Sequence, residues 1–356
     1  MGDSETISRP ADTMRERAGE SRLKMWFLIS ANRWLVTGIF SVGAYATLLA
    51  LHLFGPSAAR QLVTTSGVAS LFGSVVIALV TSITLVLSIA QFVLSQEIGP
   101  LGEQETRMEN ETDFRNDVER TAGIAVAPAE PSRFLRTLIE TADARARTLK
   151  RAVSDENDLR EIERYAEGLL DHSRTVSDDL TGTDFGSFDV LLPVLNYNYS
   201  WKIFAARNLK AKYADSLPAE ADAAFDDLIE ALRFFAPARE HFKTHYVQWE
   251  IINISRGVLY GAMPSLSVAA YMILVFDPTG LSGTALLGID AAFLLVSALF
   301  VFTLLPFAVV LAHVLRILTM IQRTLAIGPF VLRESDQLET ARYDELAALE
   351  DRRGGP

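Results

Sequence analysis

Four stretches of this chain are apolar for long enough to cross the roughly 30 Å hydrocarbon layer of a bilayer, which takes about 20 helical residues. They run from Trp34 to Phe54, Gly67 to Ser95, Gly257 to Phe276 and Ala291 to Leu315. In lipid the backbone must satisfy its own hydrogen bonds, and an apolar stretch of this length does so as a helix. The residues before Trp34 are charged and lack a continuous apolar core ending at a small-residue cleavage site, so the first span is expected to serve as its own anchor.

Orientation follows from Lys and Arg, which are retained on the cytoplasmic side. The N-terminal flank carries Arg15, Arg17, Arg22, Lys24 and Arg33. Arg107, Arg115, Lys243 and Arg256 mark the two ends of the region between the second and third spans, and Arg316, Arg323 and Arg333 follow the fourth. The other two connections are nearly bare: residues 55–66 hold only Arg60, and residues 277–290 hold no basic residue. Trp26, Trp34 and Trp249 fall near the boundaries assigned to the cytoplasmic face, as interfacial aromatic anchors do.

The expected fold is therefore all-α, with four transmembrane helices in a 2+2 arrangement and a cytoplasmic helical bundle inserted between the second and third. Residues 1–33 form a cytoplasmic segment with an interfacial helix, 34–96 the first two spans, 97–250 the bundle, 251–316 the last two spans, and 317–356 a cytoplasmic helix and tail. Both termini are expected in the cytoplasm and the protein in the plasma membrane as a multi-pass chain.

Within the bundle, Phe134, Leu135, Leu138, Ile139 and Ala142 recur at helical spacing, as do Phe225, Leu228, Ile229 and Leu232. Turn residues at 127–132, 181–187 and 215–220 separate the helices, and no segment alternates as a strand does. Between Ala238 and Arg256 no strong breaker intervenes, so the last bundle helix is open to continuing into the third span.

The second span carries the main functional signal. No charge occurs between Gln61 and Gln96, a stretch about 54 Å long as a helix. Ser66, Ser70, Ser74, Ala78 and Ser82 form a ladder of small residues, for which Gly257, Gly261, Ser265 and Ala269 of the third span offer a matching partner. Ser74, Thr81, Ser88 and Ser95 stand seven apart, joined by Thr84 and Gln91, and together make a polar seam. Hydroxyls can return to a carbonyl one turn back, so the seam is compatible with helix packing. The Gln91 amide has more donors and acceptors than its own helix can satisfy, which points to a neighbouring subunit or to water in a pore.

No Asp, Glu, Lys or Arg lies inside these four blocks, which fits a channel better than an ion-coupled pump. Pro264 and Pro306, inside the third and fourth spans, are candidate hinges. His241 and His245 are four apart and share a helix face, a weak metal candidate since no third ligand is fixed by the sequence. The stretch 195–213 mixes aromatic and basic residues, a pattern that suits either a helix with one core face or contact with anionic lipid or a partner.

Cys is absent, which excludes disulfides and thiol catalysis, and no nucleophile, carboxylate-pair or phosphate-loop signature is present. The protein is expected to be non-enzymatic and to need no cofactor. Net charge is −11, with the acidic excess mostly between spans two and three, so nucleic acid is excluded as a partner. The expected partners are the lipid bilayer, further copies of the chain, and a cytoplasmic protein.

The acidic balance, the preference for Arg over Lys and the lack of Cys suit a halophilic archaeon. Across residues 82–101, SITLVLSIAQFVLSQEIGPL resembles polytopic membrane proteins of halophilic archaea whose activity is uncharacterised. The arrangement of two spans, a helical domain and two spans resembles the topology of bestrophin anion channels and implies a homo-oligomeric ion channel. The charged and aromatic motifs of that family after its second span are not present in EIGPLGEQETRMENETDF. The alternative expectation is a membrane-anchored sensor or scaffold whose acidic domain binds a cytoplasmic partner.

Overall fold

The computed structural model describes residues 21–55, 65–154, 156–183, 188–281 and 283–323. The tail and most of the N-terminal segment therefore lie outside the described residues. The described residues are helical nearly throughout. A short α1 (Arg22–Met25) runs into a π-helical turn (Trp26–Ser30), followed by α2 (Arg33–Phe54), α3 (Thr65–Glu97), α4 (Leu101–Ala122), α5 (Pro131–Val153) and α6 (Arg160–Asp179). Then come α7 (Phe188–Asn196), α8 (Tyr199–Lys212), α9 (Ala219–Leu274), a two-strand hairpin of β1 (Ala285–Leu286) and β2 (Ile289–Asp290), α10 (Ala291–Thr303) and α11 (Leu305–Arg323). The described residues form two compact units, one on Leu101–Tyr246 and one on Leu23–Pro100 with Val247–Met320.

The first unit is a helical bundle with a single apolar core. Pro131 opens α5, where its missing N–H costs nothing, and Phe134, Leu135, Leu138, Ile139, Ala142, Ala146 and Leu149 bury one stripe. α6 answers with Ile162, Ala166, Leu169 and Leu170, and the first part of α9 adds Phe225, Leu228, Leu232 and Phe235. Glu161 ties α6 to the end of α8, accepting from Lys212 Nζ and Tyr213 Oη, both at 2.7 Å. Burial pushes its carboxyl up, but these two bonds outweigh that and hold it below the usual carboxylate range.

In the second unit α2, α3, the remainder of α9, α10 and α11 pack through several apolar clusters. Val68 and Phe72 of α3 meet Ala269 and Met272 of α9 and Val296 of α10, while Val86 meets Ile254 and Val258 of α9. α9 is unbroken over 56 residues, and Pro264 lies within it without ending it. The two glycines of the α9 ladder face α11, whereas Ala269 packs with α3. A Cβ on Gly257 would meet Val309 at 3.0 Å and one on Gly261 would meet the Pro306 ring at 3.3 Å.

The matching ladder expected on α3 is not buried: Ser66, Ser70, Ser74 and Ala78 are exposed. Residues four apart advance about 40° per step around a helix, so that ladder winds off any one face. Gly261→Leu should wedge α9 from α11 and cost about 1–3 kcal/mol. Gly73→Leu, where an added Cβ meets nothing, should stay within about 0.5 kcal/mol of wild type. Loss of helix during detergent denaturation reads both.

The fourth apolar block is not one helix. Pro306 has no N–H to give and its ring crowds the carbonyl four residues earlier, and the chain breaks at Leu304 between α10 and α11. The Leu304 amide turns back to Phe300 O and Val301 O at 3.2 and 3.1 Å. The helix long enough to cross a membrane is then Leu305–Gln322, and it contains Arg316. This corrects the expectation of one helix from 291 to 315: the block is two helices that meet at Leu304.

Candidate functional site

α3 has two faces with different fates. Val68, Phe72, Val75, Leu79, Val86 and Val93 are buried, with Phe72, Leu79, Val86 and Val93 seven apart, and form its packed face. Ser74, Thr81, Thr84, Ser88, Gln91 and Ser95 are all exposed. At about 100° per residue their mean direction lies roughly 170° from the packed face. The seam is thus turned away from the described helices that α3 packs against.

The seam hydroxyls look after themselves. Ser74, Thr81, Thr84 and Ser88 donate to the carbonyls of Ser70, Ile77, Val80 and Thr84 at 2.9 to 3.0 Å, and Ser95 donates to Phe92 O at 2.7 Å. Each keeps an acceptor lone pair pointing outward. Gln91 is different, since among the described residues its amide makes no hydrogen bond.

A second polar constellation lies in the same unit, and sequence reasoning missed it by treating Arg33 and Arg316 as flanking charges. Arg33 is buried and donates from Nε to Ala31 O at 2.9 Å, from Nη1 to Ala312 O at 3.1 Å and Leu28 O at 3.3 Å, and from Nη2 to Phe27 O at 3.1 Å and Ala31 O at 2.6 Å. Carbonyls at the end of the π-helical turn, which its own helix cannot satisfy, are thereby capped. Arg316 Nη2 reaches the same Ala31 carbonyl at 2.7 Å, and its Nη1 faces Glu250 Oε1 at 3.7 Å. Glu250 is 3% exposed. One signal was available in the sequence: Arg316 and Glu250 each sit beside an apolar run, in LRILTMI and WEII.

The remaining candidates separate. His241 and His245 are brought together, with ring centroids 4.3 Å apart. Among the described residues no group of three or more His, Asp or Glu side chains gathers for a metal. Of the prolines, Pro306 packs at a helix break and Pro264 does not. In the aromatic and basic stretch, Tyr197 and Tyr199 are core, Lys202 lies over the Tyr197 ring at 5.1 Å, and Lys210 pairs with Asp226 at 2.6 Å and Asp222 at 3.1 Å. With Lys212 bound to Glu161, its lysines are engaged within the bundle.

Among the described residues four helices are long and apolar enough to cross a membrane, Arg33–Phe54, Ser66–Ser95, Ala219–Leu274 and Leu305–Gln322, and they put the chain in the class of all-helical membrane proteins. Within that class it belongs to DUF7972, a family of unknown function, whose model matches residues 1–345. No curated protein and no solved structure matched it.

Proposed function

We propose that the chain is one subunit of a homo-oligomeric ion channel in which α3 lines the pathway. The observation that carries this reading is the direction of the seam: six polar side chains share the face that the chain's own packing leaves uncovered. Four spans are too few to enclose a hydrated path, but copies of α3 around a symmetry axis would turn this face inward. The outward lone pairs of the hydroxyls would then line water, and the Gln91 amides would bond to water or to each other.

In this reading the spans pair as 2+2, with the α10–α11 segment as the fourth crossing. The Leu101–Tyr246 bundle and both termini are cytoplasmic, on the strength of the Lys and Arg distribution. The bestrophin-like order of spans and domain supports it at the level of topology alone.

A second reading also has an observation in its favour. Because the seam hydroxyls bond to their own helix, that face can sit in lipid at little cost. The protein would then be an anchored sensor or scaffold, with the bundle binding a cytoplasmic partner.

The absence of native cysteines permits a decisive test. Single Cys residues are placed at 81, 84, 88, 91 and 95, at 87 and 94 on the flank of the exposed half, and at 86 and 93 on the packed face. Each is reacted with a hydrophilic thiol reagent in proteoliposomes. The channel predicts seam rates at least about tenfold above the others, since a thiol held in hydrocarbon stays protonated and inert. Uniformly slow reaction, together with no ion leak, removes it in favour of the scaffold.

A further inference from the structure

His241 and His245 lie one turn apart on α9, within the Leu101–Tyr246 unit, and both are exposed. Their ring planes are inclined by 43° at a centroid separation of 4.3 Å. Two nitrogens bound to one ion at about 2.0–2.1 Å each lie roughly 3 Å apart, a spacing that neighbouring rings at this distance reach by small side-chain rotations.

The tautomer is prepared as well. His245 Nδ1 donates to the carbonyl of His241 at 3.0 Å, which leaves the Nε2 lone pair as the free ligand.

The local charge does not oppose a cation. Arg239 and Lys243 flank the pair, but Glu240 bonds to Arg239 at 2.8 Å and also pairs with Lys243. Arg239 is further occupied over the Tyr199 ring, 4.6 Å from its centroid. Glu111 of α4 is near enough for its charge to act on His241.

We propose that His241 and His245 form a two-point binding site for a borderline transition-metal ion, Cu2+, Ni2+ or Zn2+. Each imidazole contributes one nitrogen and water fills the other positions. Imidazole suits these ions, whereas Mg2+ and Ca2+ require oxygen ligands and are excluded. The site is independent of the channel reading, because it lies outside α3 and requires no pore.

The test uses the full chain in detergent with any affinity tag removed, titrated with Cu2+ and followed by electron paramagnetic resonance. One ion per chain is expected, with hyperfine structure from two nitrogens. His241→Ala and His245→Ala should each leave one nitrogen and weaken binding by at least about tenfold, since even an outer-shell change at a metal site costs about 10–100-fold. Zn2+ should compete and Mg2+ should not. The proposal is overturned if the double variant binds as wild type does, if wild type binds no ion, or if only changes at His52, His172 or His313 abolish the signal. Both side chains are exposed, so the variants should keep their helix content.

Discussion

Arg316→Met should cost about 3–5 kcal/mol, because it strips the counter-ion from a carboxylate that is almost wholly buried. Glu250 Oε1 accepts no hydrogen bond among the described residues and faces the Arg316 guanidinium at 3.7 Å. Taking two charges out of water is itself expensive, so the pair is not a large net gain. It is a mutual dependence. The double variant Arg316→Met with Glu250→Met should therefore recover the part of the loss that the orphaned carboxylate causes, about half of it, and a favourable coupling of the two sites is the expected outcome of the cycle. The lost bond from Arg316 Nη2 to Ala31 O sets a floor of about 1.5–3 kcal/mol that the double variant does not repair. Helix content during detergent denaturation gives all four corners. If Arg316→Met and the double variant were equally destabilised, the carboxylate would have no role in holding α9 to α11.

The apolar blocks of the sequence are those of α2, α3 and α9, because a long apolar run permits only a helix in lipid. The continuity of α9 was also open to reading, since no breaker interrupts the residues before Arg256. The fate of the fourth block was less accessible. Pro306 was visible as a possible bend, but whether the chain kinks or breaks depends on what the ring packs against, here Gly261 on another helix.

The seam on α3 was legible as spacing and illegible as direction. Nearly every other residue of the helix is apolar, so the heptad Phe72, Leu79, Val86 and Val93 does not stand out until its partners are known. The Arg33 cluster was hidden for a different reason. Its acceptors are the carbonyls of Phe27, Leu28, Ala31 and Ala312, and a carbonyl has no residue type to betray it.

Phe235→Ala should be as damaging to the bundle, at about 3–5 kcal/mol, because the ring is fully enclosed and its neighbours are too large to collapse into the gap. Phe235 is 1% exposed and meets Tyr197 edge-on with centroids 4.8 Å apart and Tyr199 at 6.1 Å. Tyr197 is in turn held by Ser173, 3.2 Å from its hydroxyl, and Tyr199 lies under Arg239. Neither ring can move inward without breaking those contacts, so the cavity stays open and its full cost is felt. Phe234, one residue earlier, is only half-buried and rests on Phe114 of α4 at 6.0 Å. Its truncation leaves a gap that solvent and the side chains of a polar helix can fill, so Phe234→Ala should cost less than half as much. Thermal unfolding followed by near-ultraviolet circular dichroism reports the loss of ordered Tyr packing directly. Equal effects at the two positions would mean that the aromatic centre of the bundle is not built around Phe235.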